Sequence, residues 1–302
     1  MFTHDTKLAF PVRVENPNPL FAKMLQQAIG GVEGEVRVMM QYMFQGFGSR
    51  GPLKYRNMIL STAAEEMGHV EMLATAVALN LEGAPTKIKE EMSADPIAGA
   101  VMNGHNLNDL LPRQILSAGL SATAEDSNGT PFSASHVYAS GNLAADMYCN
   151  VCAESTGRVL ACRLYEMTPD PGMKEMLSFL IARDTMHQQQ WLAVLEELEE
   201  VLPIPADFPQ AEEQQMYSYA YFKQSNGEIP SDSRFLSGKS LDGHGEFSLF
   251  EAKPLGQVPT LAPPPPEMHS KVMVKPEYQA DGLTAPDQRH AEQMHANGAS
   301  SS

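Results

Sequence analysis

The chain is poor in basic residues and contains no long apolar run. Lysine and arginine together number 21 against 37 acidic residues, which gives a formal net charge of −16. A nucleic-acid partner is not expected, because phosphate binding needs clustered lysine and arginine. No stretch of about 18 uncharged apolar residues occurs, so we expect neither a membrane-spanning helix nor a membrane partner.

Cysteine is also scarce. The three cysteines, Cys149, Cys152 and Cys162, fall within one predicted helix. Cys149 and Cys152 have the spacing of a redox pair, but they lie in mid-helix rather than at a helix N-terminus, where thiols become reactive. We expect small buried side chains and a reducing, cytoplasmic compartment. The N-terminus shows no basic segment followed by an apolar one, so no signal peptide is expected.

Apolar periodicity, interrupted by glycine and proline, predicts four long helices, over about 19–47, 53–81, 140–166 and 172–201. The short break between the first two implies an antiparallel pair. The stretch 84–139 has weaker periodicity, with a short helix expected near Asn108 to Ser121. Its length fits a crossover connection between the second and third helices rather than a tight turn.

The composition changes after the fourth helix, because residues 203–302 are rich in proline, glycine and serine. This segment is too long for an ordinary loop. Aromatic and apolar side chains persist in its first part, so we expect an extended arm over 203–266 that packs on neighbouring subunits. A flexible tail is expected over 267–302. The predicted organisation therefore has an extended lead-in over 1–18, a four-helix bundle over 19–202, the arm and the tail.

Five ionisable side chains interrupt the apolar faces of the four helices, one face on each helix: Glu35, Glu66, His69, Glu154 and His187. Positions one and two turns from Glu35, for example, are Ala28, Val32, Met39 and Tyr42. One such residue alone is more often a satisfied buried polar group. Four interrupted faces, with the Glu66-x-x-His69 spacing intact, instead favour a pair of divalent metal ions, since uncompensated charges cost several kcal/mol in a core. Three carboxylates and two imidazoles suit manganese or iron.

Ferritin-like dimetal proteins place a Glu on each of two helices and a Glu-x-x-His on each of the other two. Here the second pair is Asp184-x-x-His187, and aspartate is one methylene shorter. We therefore expect five protein ligands, with Asp184 beside the metal rather than bound to it. The expected fold class is an all-α core, a ferritin-like four-helix bundle with a long crossover, followed by an extended, largely irregular C-terminal arm.

Over residues 19 to about 225 the chain resembles the manganese catalases, the non-haem dimanganese enzymes of bacteria. The matching segments are Gly30-Gly31-x-x-Gly34-Glu35, Ala64-Glu65-Glu66-Met67-Gly68-His69, Ser140-Gly141-Asn142-Leu143 leading to Glu154, Arg163 to Thr168, and His187. The resemblance implies that Glu35 and His69 bind one manganese, that Glu154 and His187 bind the other, and that Glu66 bridges them. Tyr42 would lie near Glu35.

The resemblance further implies disproportionation of hydrogen peroxide to dioxygen and water, as a defence against oxidative stress. Two manganese ions per subunit with bridging solvent would be the cofactor, in a homo-oligomer, typically a hexamer, whose C-terminal arms embrace adjacent subunits. Catalytic roles are expected for Glu35, Glu66, Glu154, Asp184 and Tyr42. Asp184 or Glu65 is a candidate proton relay, because both lie close in sequence to ligands.

The chain also departs from the family pattern. Ala153 and Ala161 stand where members carry a basic residue, and Arg158, one turn past Glu154, is a candidate replacement. No calcium is predicted, because Asn57 and Ser61 stand where some members have acidic ligands. Two alternatives remain open. One is a ferritin-like di-iron oxidase or iron-handling protein, since Mn(II) and Fe(II) favour the same donors. The other is a catalytically weak assembly or coat protein of the same fold.

Overall fold

Helices dominate the computed structural model, which describes residues 4–84, 117–198, 202–206, 213–224, 232–251 and 257–260. The helices are α1 (Pro19–Gly30), α2 (Glu35–Gly48), α3 (Leu53–Asn80), α4 (Leu143–Met167), α5 (Pro171–Leu198) and the single turn α6 (Gln215–Ser218). Short 3-10 turns occupy Ala134–His136 and Arg234–Leu236. Strands β1 (Ala220–Lys223) and β2 (Ser248–Glu251) form a two-stranded sheet. The all-α core is confirmed, and three of the four predicted long helices begin and end close to the observed positions.

The prediction of one continuous helix over 19–47 is wrong, because the chain leaves the helical conformation between α1 and α2. Gly31 and Gly34 both adopt extended backbone angles there. A Cβ added at Gly34 would lie 2.6 Å from the carbonyl oxygen of Ile29, so a side chain would not fit in this turn. Glycine also disfavours helix by about 1 kcal/mol relative to alanine. As a result Glu35 is the first residue of α2 rather than a mid-helix residue.

The break also changes which side chains accompany Glu35. Val32 was predicted to share its apolar face, but Val32 lies in the break and is 41% exposed. Ala28 is buried on α1, which packs mainly against α3. Only Met39 and Tyr42 of the predicted face therefore lie on the same helix as Glu35.

Helices α2 to α5 form the bundle that carries the predicted ligands. The most extensive packing joins α2 to α3 and α4 to α5, and each pair is linked by a very short connection, which makes its helices antiparallel. The described part of the connection between α3 and α4 is irregular, and the side-chain amide of Gln26 donates to the carbonyls of Thr123 and Glu125 there. The short helix predicted near Asn108 to Ser121 falls mostly on 85–116, outside the described residues.

The core consists of two apolar clusters with the ionisable residues between them. The first cluster joins α1 to one half of α3 and of α5, and includes Phe21, Leu25, Met72, Leu73, Met176 and Leu177. The second joins α2 and α4 to the other halves, and includes Tyr42, Ile59, Ala63, Met147, Trp191 and Leu195. On α3 the change from one cluster to the other falls where Glu66 and His69 lie. On α5 it falls at Asp184 and His187.

Asp170 fixes the start of α5 and anchors the N-terminal segment to it. Its Oδ1 accepts from the backbone N–H of Met173 at 3.1 Å, as an N-cap does. Its Oδ2 accepts from the backbone N–H groups of Glu15 and Asn16 at 2.8 and 2.9 Å. Burial opposes ionisation of Asp170, but these backbone hydrogen bonds outweigh it and lower the pKa of the carboxyl group.

The chain divides into two compact units. The first comprises residues 1–221 and 229–249 and contains the bundle; the second comprises 222–228 and 250–302. In the described part of the first unit, the hydroxyl of Tyr219 donates to Asp242 at 2.8 Å. In the second, the rings of Phe222 and Phe250 stack with centroids 4.9 Å apart. The predicted flexible tail over 267–302 lies outside the described residues. None of the helices in the described ranges is long and apolar enough to cross a membrane.

The prediction that the cysteines are buried is wrong. All three are free thiols; Cys152 is exposed, and Cys149 and Cys162 are only partly buried. Helix geometry explains the error, because Cys152 precedes Glu154 by two positions and so points about 200° around α4 from that predicted ligand. Its side chain therefore faces away from the bundle interior.

Candidate metal centre

Four helices bring the five predicted ligands together in the middle of the bundle. Glu35 comes from the first turn of α2, Glu66 and His69 from α3, Glu154 from α4 and His187 from α5. Four of the five side chains are almost completely buried. Glu35 is the exception, with 14% of its side chain exposed.

The ligand atoms form two groups that share one residue. Atoms of Glu35, Glu66 and His69 lie within 4.8 Å of one another, and so do atoms of Glu66, Glu154 and His187. Oε2 of Glu66 is 2.7 Å from Nδ1 of His69, and Oε1 of Glu66 is 2.7 Å from Nδ1 of His187. The carboxylate of Glu66 therefore presents one oxygen to each half of the site.

The hydrogen bonding within this group fits divalent cations. Oε1 of Glu66 and Nδ1 of His187 are buried and close, yet neither atom has a hydrogen-bond partner of suitable geometry. Leaving such groups unsatisfied costs about 1–3 kcal/mol each. A cation in each group would satisfy these lone pairs, and three carboxylates with two imidazoles form a donor set suited to manganese or iron.

Mutual repulsion and burial perturb the acids of the site. Burial, followed by the charge of Glu66, raises the pKa of Glu35 to about 7. The same two causes raise the pKa of Glu154 well above its usual range. Burial, with the charges of Glu35 and Glu66, raises the pKa of Asp184 to about 8. Burial also opposes ionisation of Glu66, but the two histidines outweigh it and hold the pKa of Glu66 at about 2. So many buried carboxylates require compensating positive charge.

Tyr42 contacts a different ligand from the one expected. The resemblance suggested a place near Glu35, but the hydroxyl of Tyr42 donates to Oε1 of Glu154. Burial, with the charge of Glu154, raises the pKa of Tyr42, so the phenol stays protonated and remains a donor. Trp191 directs its indole N–H to the same oxygen at 3.5 Å, and its ring centroid is 5.0 Å from that of Tyr42. Sequence reasoning missed this role, although Trp191 lies one turn after His187 and is the single tryptophan of the chain.

Sequence reasoning also missed an arginine that is linked to the histidines through Glu65. Arg158 was the candidate, but its Nε donates to the hydroxyl of Thr185 at 3.1 Å and not to Glu154. Arg183 instead donates to Glu65, with Nε 2.6 Å from Oε1 and Nη2 3.3 Å from Oε2. Glu65 in turn lies against the imidazole of His187. The available signal was that Arg183 lies one turn before His187 on the same helix.

A comparison with known protein families matches residues 1–282 to the model for manganese-containing catalase. This chain belongs to the manganese catalase family. The match spans nearly the whole chain, including the bundle and the five predicted ligands.

Individual relatives agree with this membership. A manganese catalase of Bacillus subtilis is 45% identical over 272 residues, covering 89% of this chain and 98% of the relative. A manganese catalase of Lactiplantibacillus plantarum is 36% identical over 274 residues, covering 89% and 99%. The crystal structure of KatB, a manganese catalase from Anabaena PCC7120, matches with a TM-score of 0.65 at 22% identity, over 84% of this chain and all of that one. The predicted family, fold class and enzyme class are confirmed, and the two alternatives gain no better support.

Proposed function

We propose that this manganese catalase disproportionates hydrogen peroxide to dioxygen and water at two manganese ions held by Glu35, Glu66, His69, Glu154 and His187. The observation that carries the proposal is the position of Glu66, whose two oxygens each lie 2.7 Å from Nδ1 of a different buried histidine. Two bound manganese ions with bridging solvent would supply the two-electron redox change that both halves of the reaction need.

The residues around the ligands would control how peroxide enters the site and how protons are transferred there. Glu35 is the ligand with the greatest exposure, so peroxide would reach the site from its side. Tyr42 would orient the carboxylate of Glu154 by donating a hydrogen bond to its Oε1. Asp184 is buried next to the ligands, so its carboxylate could take up a proton from the reacting oxygens and return it.

The assembly we propose is a cytoplasmic homo-hexamer that protects against peroxide, with the bundle over 19–202 and the arm over 203–266 packing on neighbouring subunits. One support is a group of exposed apolar side chains around the connection between α2 and α3, where Phe44 and Phe47 pack edge to face and Leu53 is 68% exposed. Apolar patches of this kind are commonly covered by partners. Another support is that all three cysteines are free.

The deciding experiment combines oxygen evolution from peroxide with metal analysis of the same protein, produced with manganese supplementation. We expect two manganese ions per chain and rapid oxygen release. Glu66→Gln should lose both, because a single amide oxygen cannot serve two metal ions. Glu71→Gln makes the same charge change at a partly exposed position of α3 and should lose neither. Two iron ions would favour the oxidase alternative, and two manganese ions without oxygen release would favour the assembly protein.

A further inference from the structure

The sides of the two histidines that face away from Glu66 converge on a single carboxylate. Oε2 of Glu65 lies 3.2 Å from Nε2 of His187, and Oε1 of Glu65 lies 3.6 Å from Nε2 of His69. The two rings are nearly parallel, with an interplanar angle of 25° and centroids 5.9 Å apart. We infer that Glu65, held in place by Arg183, is a positioning residue that orients both metal-binding histidines. This inference rests on the proposed dimanganese site.

The two histidines must carry their imidazole protons on the side away from Glu66. Nδ1 of each histidine faces Glu66, so Nδ1 must offer its lone pair there to bind a metal ion. A neutral imidazole then carries its proton on Nε2. Both Nε2 atoms are buried, and neither makes a hydrogen bond of full geometry. An acceptor close to each Nε2 favours this tautomer and fixes the direction in which Nδ1 points.

Glu65 is suited to serve both rings at once. It precedes Glu66 on α3 and therefore projects about 100° around the helix from the residue that faces the metal ions. Its carboxylate is an acceptor at both oxygens, whereas an amide or hydroxyl would accept in one direction and donate in another. One carboxylate can thus accept from two imidazoles, one on α3 and one on α5.

Arg183 determines how that carboxylate is turned. Its Nε and Nη2 contact the two different oxygens of Glu65, at 2.6 and 3.3 Å, which is the fork arrangement that fixes a carboxylate in plane. Both side chains remain 32% exposed, so the ion pair reaches the surface of the bundle. Among the described residues, Arg183 makes no hydrogen bond or ion pair with Glu66 or a histidine, and so it would act through Glu65.

The test measures manganese binding rather than turnover. Glu65→Gln keeps the shape of the side chain but offers one acceptor, so it can serve one histidine only. We expect the dissociation constant for Mn²⁺ to rise about 10–100-fold, with an altered manganese EPR spectrum and an unchanged circular dichroism spectrum. Glu71→Gln is the matched control, because Glu71 lies on the same helix and its carboxylate contacts the exposed His4, at 3.2 Å. Its Mn²⁺ affinity should equal that of the wild type.

A double-mutant cycle tests the part assigned to Arg183. Arg183→Met should weaken Mn²⁺ binding in the wild-type background and have no further effect in the Glu65→Gln background, because the two residues act as one unit. Arg158→Met removes an arginine that contacts Thr185 and should change neither background. Additive effects of the Glu65 and Arg183 changes would overturn the assigned path through Glu65.

The outcomes separate this inference from the proposed function. If the wild type fails to bind two manganese ions, the proposed function fails. If the wild type binds two ions and Glu65→Gln binds them with the same affinity and the same EPR spectrum, the positioning role is refuted. Should Glu65→Gln not fold, Glu65→Asp decides: its carboxylate is withdrawn by one methylene and cannot reach both Nε2 atoms. Unchanged Mn²⁺ affinity of that variant would equally refute the role.

Discussion

Removing the metal should make the protein progressively less stable as the pH rises from 5 to 8. In the fold the pKa of Glu35 is raised to about 7 and that of Asp184 to about 8, both chiefly by burial. In an unfolded chain such groups titrate near pH 4. Between these limits the folded protein binds more protons than the unfolded one, so the free energy of unfolding falls with rising pH. The stability that proton binding to these two carboxyl groups contributes is fully present below about pH 4. It is lost as the pH rises through the pKa values of the folded protein.

The magnitude follows from the size of the shifts. One pKa unit corresponds to 1.36 kcal/mol, so the shift of Glu35 from 4.5 to about 7 costs about 3–4 kcal/mol once the group is ionised. His187 acts in the same direction above about pH 6.5, because the carboxylates of Glu65 and Glu66 overcome the effect of burial and raise its pKa to about 10. Bound cations would hold the carboxylates ionised and the imidazoles neutral, which removes most of this pH dependence.

Urea denaturation of chelator-treated and manganese-loaded protein at several pH values from 5 to 8 would measure the effect. The difference in unfolding free energy between the two forms should widen by several kcal/mol as the pH rises. Glu35→Gln lacks one of the groups, and its metal-free form should show a shallower decline. A metal-free protein that gains stability over this range, or a difference that stays constant, would refute the reasoning.

Three further predictions concern single contacts. Tyr42→Phe removes the hydroxyl that donates to Glu154. The loss of a hydrogen bond to a charged group should weaken Mn²⁺ binding about 10–100-fold. Calorimetric titration measures the affinity, and a wild-type value would contradict the prediction. Asp170→Ala removes three backbone hydrogen bonds and should lower the unfolding free energy by about 2–3 kcal/mol. Because the pKa of Asp170 is lowered, that loss should shrink when both proteins are compared below about pH 4, as urea denaturation would reveal. Gly34→Ala places a methyl group 2.6 Å from the carbonyl of Ile29, which should displace the start of α2 and reduce manganese content and oxygen release; metal analysis that finds full occupancy would contradict this.

The sequence was most informative for site residues that lie on the same helix. Glu66 and His69 lie three residues apart, and helix geometry alone puts them on the same face. The break at Gly31 to Gly34 was missed because apolar residues continue through it at helical intervals, and only the close approach of Gly34 to Ile29 shows why the helix must end. Apolar periodicity shows which side chains share a helix face. It does not reveal a break in the helix when the apolar residues on both sides of the break keep the helical spacing.

Contacts between helices were the other source of error. Glu65 and Arg183 are 118 positions apart, and no local spacing indicates that they meet. Arg158 was preferred for its nearness to Glu154 in sequence, yet it is turned towards Thr185. The prediction that Cys152 is buried was wrong for a reason already present in the sequence, because its position relative to Glu154 on α4 places it on the outer side of the helix.

The separation of the core into two apolar clusters has a consequence for engineering. The ionisable layer at Glu66 and His187 lies between the two clusters. Residues at the far ends, such as Phe21 and Leu195, therefore pack in separate clusters and do not affect one another's packing. The two ends can therefore be redesigned separately, each screened by thermal denaturation alone, and the gains should add because distant sites are energetically independent. The protein could then be adapted to hot, peroxide-containing solutions without altering any residue that contacts the predicted metal ligands.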